Sequence, residues 1–158
     1  GLVAYQNKVD NLIVSTPRRL ENVDSATLRG ITATAAYQWN QTRLSAAADF
    51  LNPYDDSTGE RLIRRARQTY RLNAEQRIDR WTLGAEFLYV GQRYDDTFSQ
   101  GRVHLGGYSL WNLTARATLT KNLSVQVRWD NITDKDYTDV YGYANPGSTV
   151  FVNLAWQM

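Results

Sequence analysis

Apolar and polar side chains alternate with a period of two along most of this chain, which is the spacing of half-buried β-strands and not of helices. The last segment shows it most clearly: Val150, Val152, Leu154, Trp156 and Met158 occupy one face, and Phe151, Asn153, Ala155 and Gln157 the other. Before it, Leu123, Val125, Val127 and Trp129 alternate with Ser124, Gln126, Arg128 and Asp130. The same rule places Trp111, Leu113, Ala115 and Ala117 on one face, and Trp81, Leu83, Ala85, Phe87 and Tyr89 on another. A more polar segment from Arg67 sets Tyr70, Leu72, Ala74 and Ile78 against Thr69, Arg71, Asn73, Glu75 and Arg77. Leu44 to Phe50, Ile31 to Trp39 and a short opening strand, roughly Gly1 to Lys8, bring the prediction to about eight strands.

The predicted connections alternate in length. Tight turns fall at Asn40-Gln41, Asp79-Arg80 and Thr120-Lys121-Asn122, and long polar loops at Asp10–Asp24, Asn52–Leu62, Gln92–Leu105 and Asn131–Gly147. Short turns at one end and long loops at the other are how bacterial outer-membrane barrels are arranged, with the long loops outside the cell. Trp39, Trp81 and Trp156 then share the short-turn rim, where amphipathic rings favour a water–lipid boundary. A soluble β-sandwich also alternates. Against it stand strands of about ten residues, longer than the usual 5–6, and charges in mid-strand on the inward face. These are Arg43, Asp49, Arg71, Glu75, Glu86, Arg116 and Arg128, which a dry core would not accept unpaired.

Composition narrows the function classes. The 158 residues contain 5 Trp and 10 Tyr beside only 4 Phe. A mean hydropathy of −0.52 suits a wall that presents only alternate residues to lipid. No stretch approaches the roughly 20 apolar residues of a transmembrane helix. A formal charge of +2 and the absence of long Lys/Arg runs argue against a nucleic-acid partner. With no Cys and a single His, His104, there is no basis for a disulfide framework, a thiolate metal site or a catalytic triad, so no catalytic residue, metal or cofactor is assigned. The paired acids Asp55-Asp56 and Asp95-Asp96 read as solvated loop carboxylates rather than calcium ligands. Asn131 to Tyr137 reads as strand-end structure, because Asn and Asp bond neighbouring backbone.

The C-terminal half resembles TonB-dependent transporters of the bacterial outer membrane. The resemblance rests on Tyr89-Val90-Gly91-Gln92-Arg93-Tyr94-Asp95-Asp96, then Gly107-Tyr108-Ser109-Leu110-Trp111-Asn112-Leu113, then Trp129-Asp130-Asn131-Ile132-Thr133-Asp134-Lys135-Asp136-Tyr137. Arg64-Arg65-Ala66-Arg67 and Val140-Tyr141-Gly142-Tyr143 look most like the cobalamin-transporting members. Two departures stand out: Met158 replaces the usual terminal Phe, and Ile132-Thr133 replaces a Leu-Phe pair.

The resemblance implies an all-β transmembrane segment, residues 1–158, forming the C-terminal part of a barrel of about 22 strands without its plug domain. It also implies uptake of cobalamin or a related corrinoid, with Arg64, Phe98 and Tyr143 as ligand-contacting residues. The implied partners are outer-membrane lipid, a corrinoid or siderophore ligand, TonB through the plug, and the barrel-assembly machinery through the C-terminal strand. Three alternatives stay open: a siderophore receptor, a complete eight-stranded structural or adhesive barrel, and a lipid-processing enzyme that lacks a visible nucleophile–base pair. Pairing of the first strand with the Val150–Met158 strand would mark the small closed barrel.

Overall fold

A computed structural model describes residues 1–15 and 20–157, with the backbone alone for 14, 15 and 21–24. Every element in it is a strand: β1 (Leu2–Ser15), β2 (Leu20–Trp39), β3 (Thr42–Asp55), β4 (Gln68–Ile78), β5 (Trp81–Val90), β6 (Arg93–Thr97), β7 (Gly101–Leu105), β8 (Tyr108–Thr118), β9 (Leu123–Asp130) and β10 (Thr149–Trp156). Eight of them form one antiparallel sheet in the order β1-β2-β3-β4-β5-β8-β9-β10, and β6 and β7 pair as a separate hairpin. β1 and β10 are the two edges of the large sheet and do not pair with each other, so the described strands form an open wall rather than a small closed barrel.

Residues directly opposite across an antiparallel ladder point to the same face, so the register gives the sidedness of the wall. Val152 faces Val127, Val127 faces Ala115, Ala115 faces Leu83, and the row goes on through Gln76, Thr42 and Trp39. Neighbouring rows join Leu113, Ala85, Ala74, Leu44 and Tyr37, then Trp111, Phe87, Leu72, Ala46 and Ala35. One face is thus a largely apolar belt running across seven strands from β10 to β2. Its large side chains stay open to the surroundings, Val152 and Leu154 each at 65% exposure, because their partner is lipid.

Rings border the belt on both sides. Trp39, Trp81 and Trp156 sit beside the short turns, and Phe50, Tyr70 and Tyr89 line the other side, Tyr70 stacked on Tyr89 at 5.4 Å. From Trp81 to Tyr89 the strand runs about 27 Å, which at the usual 35–45° tilt gives a band on the order of 20 Å, near the ~25 Å of outer-membrane barrels. The opposite face is wet. There Asp49 accepts the Thr32 hydroxyl at 2.7 Å and faces Arg71 at 3.6 Å, and Arg128 binds Asp130 at 2.6 Å and faces Glu86 at 4.0 Å.

Two of the predicted long loops are corrected. The segment 10–24 is mostly strand: β1 runs on to Ser15 and β2 begins at Leu20, so the ladder continues far beyond the apolar belt. Leu12 and Ile13 supply strand-forming residues there, and paired main-chain groups satisfy one another wherever side chains are polar. The segment 92–105 contains β6 and β7. The turn at 40–41 and the turn at 79–80 stand where the pattern puts them, with Asn40 (φ 50°) and Asp79 (φ 53°) taking the left-handed backbone that tight hairpins require. Met158, assigned above to the lipid face, lies outside the described residues.

The sidedness makes a prediction. Val152→Arg places a cation on the lipid side and should cost about 2–4 kcal/mol near the bilayer midplane, whereas Asn153→Arg on the wet side should cost far less. Unfolding titrations in lipid vesicles measure both, and equal costs would contradict the register.

Candidate functional site

At the long-loop end, three segments are locked together by charged groups. The first is 56–67, between β3 and β4. It folds back on its own strand through the Tyr54–Arg61 bridge, with the Leu62 amide donating to the Pro53 carbonyl at 3.1 Å and Leu62 buried. The second is the β6–β7 hairpin, which grips the first through Arg102. That guanidinium donates to Glu60 Oε2 at 2.8 Å and to the Arg61 carbonyl at 2.6 Å while lying 4.5 Å over the Tyr94 ring. The third is 131–148, between β9 and β10.

Asp95 stands where all three meet. It is fully buried, and its carboxylate accepts Arg64 Nε at 2.7 Å, the Tyr141 amide at 2.8 Å and the Asp96 amide at 2.9 Å. Arg64 is held from a second side, because its amide donates to the Tyr94 carbonyl at 2.7 Å. Its φ of 57° is uncommon for a residue other than Gly, Asn or Asp, and these two bonds keep it there.

A second buried charge lies close by. Arg93 (side chain 4% exposed) donates to Asp139 Oδ1 at 2.8 Å and to the Thr138 carbonyl at 2.5 Å, and its guanidinium carbon lies 5.3 Å over the Tyr108 ring. The Tyr108 hydroxyl donates to the same Asp139 oxygen at 2.8 Å, and Tyr108 packs on Tyr137 at 4.6 Å. Burial, reinforced by the nearby Asp139 and Asp130 charges, pushes the Tyr137 phenol up and keeps it neutral. Asn131 braces the base of this loop. Its Oδ1 accepts the Lys135 amide at 2.9 Å, its Nδ2 donates to the Lys135 carbonyl at 3.0 Å, and its own amide donates to Asn112. That is the strand-end role read from the sequence.

The interlocked loops leave a cleft of about 770 Å³. Arg64, Phe98 and Tyr143, the three site residues named from sequence, all line it, together with Asp96, Tyr141 and Asn145. Phe98 comes from the β6–β7 turn and is 73% exposed; Tyr143, 72% exposed, follows Gly142 in a turn whose φ of 81° suits glycine. The cleft is nearly balanced in charge. Asp95 pairs with Arg64 and Asp139 with Arg93, so the Asp96 carboxylate carries the remaining charge of a lining that also holds the polar groups of Arg64, Thr97, Tyr141, Tyr143 and Asn145.

One reading of the acids is overturned: Asp95 is a buried clasp and not a solvated loop carboxylate. Arg93, Asp139 and Tyr141 also build the site and are not among the site residues named from sequence. A signal existed, since Arg93, Asp95 and Thr97 alternate with Tyr94 and Asp96 and precede a Gly101 turn, as a hairpin does. Those alternate residues are polar, so hydrophobic periodicity does not find them. Asp56 does remain exposed, and among the described residues no three His or acidic groups gather as a metal site.

Comparison with known proteins agrees with the wall of strands. Residues 1–132 match the family model described as "TonB dependent receptor-like, beta-barrel". The chain superposes on a ferripyoverdine receptor of the outer membrane of Pseudomonas aeruginosa bound to ferripyoverdine (TM-score 0.79, 17% identity), covering 98% of this chain and 24% of that one. It also superposes on the copper transporter OprC (TM-score 0.81, 17% identity), covering 98% of this chain and 27% of that one. A ferric enterobactin receptor, PfeA, gives a TM-score of 0.79 at 20% identity, with 98% and 28% covered. The chain thus spans about a quarter of the length of these solved relatives.

Two outcomes test the loop electrostatics. Asp139→Ala strands the buried Arg93 and should cost about 2–3 kcal/mol of local stability, seen as faster proteolysis within 131–148 in the full-length protein. Asp56 accepts the hydroxyls of Thr27 at 2.7 Å and Ser25 at 2.9 Å, which hold its carboxyl below the ordinary 3.8. A depressed folded value means the tie is complete above the unfolded value and is lost as pH falls through the folded one. Exchange of the Asp56 amide, which donates to the Ser25 carbonyl, should therefore accelerate, after correction for intrinsic rates, only below pH 3.8.

Proposed function

This chain belongs to the TonB-dependent receptor-like β-barrel family, and on that premise we propose that it supplies the C-terminal part of an outer-membrane transport receptor whose extracellular cleft binds a large, nearly neutral ligand, a corrinoid such as cobalamin. The observation that carries the reading is the convergence of Arg64, Phe98 and Tyr143, from three separate loops, on one cleft of about 770 Å³ at the long-loop rim. A corrin is a broad, mostly apolar disc edged with amides. Exposed rings cover such a face, and guanidinium nitrogens donate to amide carbonyls. The charge of the cleft supports the same class: two ion pairs and one further carboxylate leave it slightly negative, which disfavours a polyanion.

A siderophore is the second reading, favoured by the solved relatives, of which the ferripyoverdine and ferric enterobactin receptors are two. In either case the partners proposed for the whole protein are outer-membrane lipid, TonB acting through a plug domain, and the barrel-assembly machinery engaging the C-terminal strand.

Titration of the full-length protein with cyanocobalamin, a neutral ferric hydroxamate and a polyanionic ferric catecholate separates these readings. Cyanocobalamin should bind, and Tyr143→Ala and Arg64→Ala should each weaken it by about tenfold, the equivalent of ~1.4 kcal/mol. Binding of an iron chelate alone decides for the siderophore reading, and equal affinity in parent and variants removes these residues from the site.

A further inference from the structure

The geometry points to Asp95 as the positioning residue of the cleft: its buried carboxylate holds Arg64 and the Tyr141–Tyr143 turn at a fixed separation, so that three loops distant in sequence form one rigid body. The inference concerns the same cleft, but its mechanical part stands apart from the ligand assignment. Asp95 touches no solvent and lies outside the cleft lining, whereas the groups it binds lead straight into that lining. Arg64 is a cleft residue, Tyr141 is another, and Tyr143 follows two positions later across Gly142.

Each wall depends on this carboxylate in a different way. On the 56–67 side, Arg64 has an uncommon left-handed backbone and a side chain that would otherwise swing freely in a wide opening. The Asp95 bond to Nε leaves the guanidinium edge aimed at the cleft. On the 131–148 side, the Tyr141 amide finds its acceptor in Asp95 Oδ2, and the turn from Val140 to Tyr143 closes through the Tyr143 amide on the Val140 carbonyl at 3.1 Å. The Asp95 carboxylate, buried between these loops, is a two-oxygen acceptor that bonds both of them directly and so fixes their distance. A buried carboxylate deprived of any one donor is costly, which makes the arrangement cooperative.

Hydrogen–deuterium exchange on the full-length protein in lipid nanodiscs tests the clasp without any ligand. In Asp95→Ala, segments 61–67 and 139–145 should both exchange about tenfold faster or more, as loss of charge-assisted hydrogen bonds requires. Peptides from β8 and β9 should keep the parent's protection, which shows the barrel is folded. Asp95→Asn retains an acceptor for the Tyr141 amide but loses the charge facing Arg64, so it should loosen 61–67 more than 139–145. Parent-like protection of either segment in Asp95→Ala overturns the proposal, as does loosening confined to the β6–β7 hairpin.

A cyanocobalamin titration on the same samples adds a readout that a merely structural role would not move. Asp95→Asn and Arg64→Ala should each weaken binding, and their combination should fall short of the sum of the two losses, because part of the effect of Asp95 passes through Arg64. Additive losses overturn that coupling. If the segments loosen together while cyanocobalamin binds neither parent nor variant, the clasp stands and the corrinoid reading falls.

Discussion

Everything in this molecule follows from one requirement: inside a bilayer each backbone N–H and C=O must find its partner within the protein. A wall of strands meets it through continuous ladders, and the register from β1 to β10 runs without a break in strand order apart from the excursion of β6 and β7. The same requirement is unmet at the two edges, β1 and β10, whose outer main-chain groups are open in the described sheet. Closure into a barrel, the architecture of the matched family, is what removes such edges.

Once the ladders are set, the alternation of side chains does two jobs with one sequence. Even-numbered positions of β10 and their cross-strand partners form the belt, while the intervening residues carry charges into the wet interior. Pairs such as Arg71 with Asp49 are half exposed and contribute little stability. They matter because they make one face unacceptable to lipid, and so fix which way the wall points. The rings at either border of the belt, Trp81 below and Tyr89 above on the same strand, set its depth in the membrane.

Above the membrane the solution changes. The belt ends, and the loops are built around the buried charges of Asp95 and Arg93 beside a few buried apolar side chains such as Leu62 and Leu105. Here too the need to satisfy polar groups governs, now through side chains instead of ladders. The outcome is a cleft whose rings are exposed and whose charged groups are largely spent on one another, a surface suited to a bulky ligand of low charge.

The sequence by itself determined the eight strands of the wall, their sidedness, the tight turns and the rim on which Trp39, Trp81 and Trp156 sit, because each of these is a local pattern with a period of two or a turn residue at a set place, whereas the polar β6–β7 hairpin escaped it. It also named Arg64, Phe98 and Tyr143 through resemblance, although spacing alone gave no reason to bring them together. Only the tertiary structure decided that they share a cleft, that β1 and β2 continue as paired strands beyond the belt, and that Asp95 is buried. The physical reason is that burial of Asp95 depends on Arg64, 31 positions earlier, and Tyr141, 46 positions later. A carboxylate reads the same in sequence whether water or three donors surround it. What distinguishes the two cases is the company brought by distant segments, and that exists only once the wall has placed their ends side by side.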